Sequence, residues 1–200
     1  MCRSRFVFAY GLAAAFGLTV LSTGSASAQT LSDFSSFSLS GTYVAWDAGT
    51  FTSGATDWRA EAFDFGGGFF NLPAPVDASA NNTLEVMLTV NPATTADKFN
   101  IVLFDADGTE RVYRFDGLGI GGPQTLTKDL GDFLQDNNPG GVPGLDTSAL
   151  TVFHLQGTFE NGNPGLFLDI TFDNLAITPE PASLALLGIG GLLLTRRVRG

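Results

Sequence analysis

Residues 83–116 read TLEVMLTVNPATTADKFNIVLFDADGTERVYRFD, and this stretch decides the fold. From Thr83 to Val90 the apolar residues Leu84, Val86, Leu88 and Val90 alternate with Glu85, Met87 and Thr89. A period of two places one set on a buried face and the other on a solvated one, the signature of a half-buried strand. Lys98–Asp105 and Glu110–Asp116 repeat the alternation. Between them, Asp105-Ala106-Asp107-Gly108-Thr109-Glu110 carries an Asp-Gly pair that supplies the positive φ of a tight hairpin. The same link resembles a fragment of a calcium loop. An EF-hand, however, needs three acidic or amide positions before its glycine, and only two are present, so a plain turn is the better reading.

Outward from this hairpin the pattern continues. Leu126–Leu130 forms a strand after the Gly-Pro-Gln turn at 122–124, and Gly131–Thr147, rich in Asn, Pro and Gly, reads as a loop. Leu150–Phe159 and Leu166–Ile177 are the last two strands, meeting across Glu160-Asn161-Gly162-Asn163-Pro164-Gly165. On the other side, Phe34–Trp46 and Trp58–Phe70 supply aromatic strand material, with Gly66-Gly67-Gly68 marking a bulge or bend. No segment shows helical periodicity over more than a few turns. About eight strands result, which predicts an all-β, two-sheet β-sandwich.

The run from Asn82 to Leu130 resembles the non-catalytic carbohydrate-binding jelly rolls, and Phe172-Asp173-Asn174-Leu175-Ala176-Ile177 resembles their closing strand. The resemblance implies a jelly-roll-like sandwich with a polysaccharide partner. For a structural calcium, should one be bound, the resemblance points to Asp173, with Asp33 of an N-terminal strand nearby; the alternative is that Asp173 is exposed or caps a turn. Trp46, Trp58 and Tyr43 are candidates for stacking on sugar rings, the alternative for the tryptophans being burial in the core.

Both ends of the chain read as targeting segments. Met1–Ala28 has a basic start at Arg3 and Arg5, an apolar run from Phe6 to Leu21 and the small residues Ala26-Ser27-Ala28. That order is a secretory signal peptide cut after Ala28. The chain's one cysteine, Cys2, lies inside it, leaving the mature protein without thiols. At the other end, Pro179-Glu180-Pro181 precedes the apolar stretch Ala182–Thr195 and the basic cluster Arg196, Arg197 and Arg199. The prolines set off an extended element from a short hydrophobic helix of ~21 Å at 1.5 Å per residue, marginal for a bilayer. The arginines form a cytoplasmic stop.

This order of three unlike elements resembles the PEP-CTERM sorting signal of exopolysaccharide-producing Gram-negative bacteria. The resemblance implies recognition of Pro179, Glu180 and Pro181 by exosortase, a membrane protease-transpeptidase, and transient anchoring in the inner membrane. The mature protein is then passed to the cell envelope, surface or extracellular matrix. The organisation expected is a signal peptide over 1–28, a β-sandwich domain over 29–177 and a sorting signal over 178–200.

Charge and motif content narrow the chemistry. From Gln29 to Thr178 there are five basic residues against nineteen acidic ones, a net charge of −14, which makes nucleic acid an improbable partner. His154, the single histidine, sits among Val152, Phe153 and Leu155 and reads as a strand residue instead of a catalyst. No His/Cys cluster suits zinc and no P-loop suits phosphate. Carboxylates are abundant enough for glycoside hydrolysis, but no spacing singles out an acid and a nucleophile. The protein is therefore expected to be a non-enzymatic surface or matrix protein, the alternatives being a secreted hydrolase and a purely structural coat protein. The mature protein isolated from its host should have lost both Met1–Ala28 and the segment beyond the Pro179 region; an intact mass that includes Arg199 contradicts tail processing.

Overall fold

Each alternating run identified above forms a strand because an extended chain with one apolar face has to bury that face against another sheet. The computed structural model describes residues 27–34, 43–46, 50–63, 66–138, 142–157 and 166–179; the side chains of 43–46, 51 and 53 are outside this description. Twelve strands occur in this order: β1 (Gln29–Ser32), β2 (Tyr43–Trp46), β3 (Thr50–Ser53), β4 (Trp58–Phe63), β5 (Gly67–Val76), β6 (Thr83–Val90), β7 (Lys98–Asp105), β8 (Glu110–Asp116), β9 (Pro123–Asp129), β10 (Gln135–Asn137), β11 (Leu150–Gln156) and β12 (Phe167–Thr178). No helix occurs among the described residues. The expected signal peptide through residue 26 and the C-terminal hydrophobic helix lie outside them.

The strands make two six-stranded sheets. The first runs β3-β4-β12-β6-β9, with β1 added alongside β12; the second runs β10-β8-β7-β11-β5-β2. All strand pairs are antiparallel. The all-β two-sheet sandwich expected from the sequence is thus the fold. Three details differ. Trp58–Phe70 is two strands in opposite sheets, and the Gly66 N–H donates to Phe63 O at 2.7 Å between them. The loop expected at 131–147 contains β10, which extends the β7–β8 hairpin by pairing with Glu110–Val112. The last two strands do not pair as a hairpin: β11 is central in one sheet and β12 in the other.

Between the sheets lies a continuous aromatic core. Trp58 is fully buried, stacked on Phe70 with centroids 4.5 Å apart and edge-on to Phe34 at 4.9 Å. Phe70 stacks on Phe153 at 4.8 Å, and Phe172 reaches Phe99 edge-on at 5.7 Å. Phe34 holds a left-handed φ of 52°, rare for a bulky side chain, and its ring is fully buried.

The Asp-Gly turn serves the fold through its carboxylates. Gly108 takes φ 87°. Asp105 Oδ1 accepts the N–H groups of Asp107 and Thr109, and its Oδ2 accepts that of Asp146 at 2.8 Å. Asp107 Oδ2 accepts the Val142 N–H at 2.8 Å, the main reason its carboxyl titrates far below the usual range. These acids are committed to backbone donors that pin residues 142–148, in agreement with the plain-turn reading.

On the outer face of the first sheet, Asp169 of β12 is only 1% exposed. Arg59 of β4 grips it with a two-pronged contact, Nε to Oδ1 at 2.8 Å and Nη2 to Oδ2 at 2.7 Å, and Asn91 Nδ2 donates to Oδ1 at 2.8 Å. The Thr94 hydroxyl donates to Asp169 O and accepts from Asp169 N, so the turn after β6 is strapped over the carboxylate. Removing one partner of a buried, hydrogen-bonded pair strands the other. Asp169→Ala is expected to cost about 2–4 kcal/mol by urea denaturation; a loss under about 0.5 kcal/mol would show that the strap does not depend on this charge.

Candidate carbohydrate-binding face

The opposite outer face, that of the second sheet, is built by the same alternation. In β7, Phe99, Ile101 and Leu103 enter the core, which leaves Asn100, Val102 and Phe104 on the far side; in β11, Phe153 and Leu155 enter, leaving Val152, His154 and Gln156. Register aligns these residues in rows. Gln156 is opposite Asn100 on one side and Gly67 on the other, and Asn100 is opposite Arg114 of β8. The next row runs from Phe69 through His154 and Val102 to Val112. A polar row therefore lies beside an aromatic one, in which His154 sits 5.6 Å from Phe69 and 4.3 Å from Phe104.

Polar atoms in this face are left without partners. Asn100 is 5% exposed, yet its Oδ1 accepts no hydrogen bond, and the buried Nε of Arg114 donates none. Such groups ordinarily find partners, because a desolvated unpaired one costs about 1–3 kcal/mol. Gly67, at the end of the same row, contributes no side chain. At the other end β10 pairs with β8 over Glu110–Val112 and no further, so Arg114 and Asp116 border an open pocket of about 280 Å³, completed by Lys128, Asp132, Phe133 and Leu134.

The structure places the predicted site residues as follows. Trp58 is a core residue with no surface for a sugar. Trp46 lies opposite Gly67, at the end of the polar row, and Tyr43 lies opposite Phe70; their side chains are outside the described residues. Asp33 is exposed just after β1. Asp173 is half-buried at an irregularity in the β12–β6 pairing, and burial and then Asp57 push its carboxyl up. Calcium takes 6–8 oxygens, and no group of three or more His, Cys, Asp or Glu side chains able to hold a metal occurs among the described residues. Pro179 follows β12 directly, whereas Glu180, Pro181, Arg196, Arg197 and Arg199 are outside the described residues.

Sequence reading missed Asn100, Arg114 and Gln156. Asn100 left one trace, a lone amide inside the otherwise apolar run Phe99–Phe104.

No protein-family model matches the chain, and no curated protein matches it. Solved structures do. An agarase, AgWH50C, is similar with a TM-score of 0.57 and 17% identity over 78% of this chain and 25% of its own. The family 11 carbohydrate-binding module from Clostridium thermocellum, solved with a β-1,3-1,4-mixed-linked tetrasaccharide, has a TM-score of 0.55 and 15% identity over 76% of this chain and 96% of its own. An exo-β-agarase reaches 0.55 at 15% identity, over 76% and 25%. The chain thus spans about a quarter of the agarases and nearly all of the binding module. At these identities the likeness shows the jelly-roll fold.

His154 supplies a test of how closed this face is. Burial pushes its imidazole down from 6.5 to about 4, so the ring is neutral at pH 7. The unfolded chain takes up the proton first as pH falls, so the contribution is complete above about pH 6.5 and is lost toward pH 4, by up to about 3 kcal/mol. Urea midpoints should fall across this window in the native protein and be flatter in His154→Gln; an equal slope in both assigns the loss to other groups.

Proposed function

We propose that this chain is a non-enzymatic exported protein whose sandwich binds polysaccharide on the outer face of the second sheet. One observation carries this reading: Asn100 and Arg114, side by side in a single row with Gln156, keep desolvated polar atoms unpartnered beside the rings of Phe69, His154 and Phe104. A sugar presents hydroxyl groups at its rim and C–H surface on its faces, which suits such a combination of planar amides and aromatic rings. The jelly-roll neighbours support it, since one of them was solved with a bound tetrasaccharide. A hydrolytic role is less well supported. Asp105, Asp107 and Asp169, which burial or hydrogen bonding sets apart, are occupied by backbone or arginine donors.

In this proposal the tail retains the role expected from its sequence. Pro179, Glu180 and Pro181 are recognised by an exosortase-type enzyme, the apolar segment and its arginines hold the chain briefly in the inner membrane, and the domain is delivered to the envelope or matrix.

Affinity electrophoresis of the purified mature protein through gels containing mixed-linked β-glucan, agarose or host exopolysaccharide, with and without calcium, tests the binding. Retardation by at least one polymer is expected. Asn100→Ala and Gln156→Ala should each weaken it about tenfold, the value of one or two buried hydrogen bonds, with a melting temperature that Asn100→Ala does not lower, since it removes an unpartnered buried oxygen. Migration unaffected by every polymer removes the ligand claim.

A further inference from the structure

Five basic residues lie between Gln29 and Thr178, in a stretch that holds nineteen acids. Four of them have a carboxylate within 4.0 Å: Arg59 with Asp169, Lys98 with Asp97, Arg111 with Asp136 and Lys128 with Asp132. Arg114 has no ion pair or hydrogen bond among the described residues, and its Nε is buried. In so acidic a chain, a partly desolvated guanidinium without an ion pair among the described residues is costly unless something else meets it.

The surroundings of Arg114 indicate what that is. The residue joins the polar row to the open pocket of about 280 Å³ at the sandwich edge, just below the range of small-molecule sites, about 300–1,000 Å³. The pocket wall is partly apolar: Phe133 and Leu134 are exposed, and the Arg111 guanidinium packs 4.3 Å from the Phe133 centroid, holding that ring in place. Lys128 is neutralised by Asp132 at 3.0 Å, which leaves Arg114 as the unmatched cation. Asp116 on the same wall accepts from hydroxyls. A planar guanidinium without an ion-pair partner favours a two-oxygen anion.

Building on the polysaccharide-binding reading, we infer that the Arg114 pocket takes an anionic substituent of the glycan, a uronate carboxylate or a sulfate half-ester, and so selects acidic over neutral chains. The protein's overall negative charge does not forbid this, because charges farther away than about 8 Å are largely screened at physiological ionic strength.

The test compares the intact mature protein with Arg114→Gln and Arg114→Lys on three matched polymers in affinity gels: polygalacturonate, its carboxyl-reduced neutral form and a sulfated galactan. The native protein should bind one of the anionic polymers about tenfold more tightly than the neutral one. Which anionic polymer it retains tells carboxylate from sulfate. Arg114→Gln should reduce that ratio to near one, and Arg114→Lys should keep part of it. Equal affinity of the native protein for neutral and anionic polymers overturns the inference while leaving polysaccharide binding intact, as does a ratio unchanged in Arg114→Gln. Binding to none of the three, nor to the neutral glycans above, overturns both. Melting curves confirm that each variant is folded.

Discussion

The rings that fill the space between the sheets are the constraint on which the rest of the molecule depends. Phe34, Trp58, Phe70 and Phe153 form one continuous contact chain, and Phe172 and Phe99 extend it. Each aromatic side chain removes a large apolar area from water, and edge and offset-stacked contacts add to that burial. The chain accepts a left-handed backbone at Phe34, and that ring touches Trp58, Phe153 and Phe172. Because these rings claim the inner positions of their strands, period-two alternation sends Asn100, His154 and Gln156 to the outer face. The core decides what the surface displays.

The two outer faces then differ in how they are finished. On the first sheet, Asp169 is the buried charge, and every oxygen it offers is met by Arg59, Asn91 or Thr94. That network binds the turn after β6 to β12 and is closed to further partners. On the second sheet, Asn100 Oδ1 and Arg114 Nε are buried without a hydrogen-bond partner. Unsatisfied buried polar groups are uncommon in folded proteins, and this pair is the observation on which the proposed binding to the second face rests.

Much of the architecture was legible in advance. β6 follows the expected alternation residue by residue, β7 and β8 occupy the expected spans, and the Asp-Gly turn between them is local chemistry. Elsewhere the reading failed where two strands shared one apolar run. Trp58–Phe70 reads as continuous, but its halves belong to different sheets, and composition carries no record of sheet membership. β11 and β12 look like a hairpin for the same reason. The candidate site was less legible. Trp58, a plausible sugar platform by residue type, is a core ring, while Asn100, Gln156 and Arg114, unremarkable when separated in sequence, become neighbours only through strand register.

The sequence by itself determined the all-β class and the strand alternation, because periodicity and turn residues are local properties of the chain. Which strands share a sheet, which aromatic rings are buried and which polar groups stand together unpartnered were decided by tertiary structure alone. Those properties arise from contacts between residues far apart in the chain, as when Arg114, Asn100 and Gln156 meet across three strands.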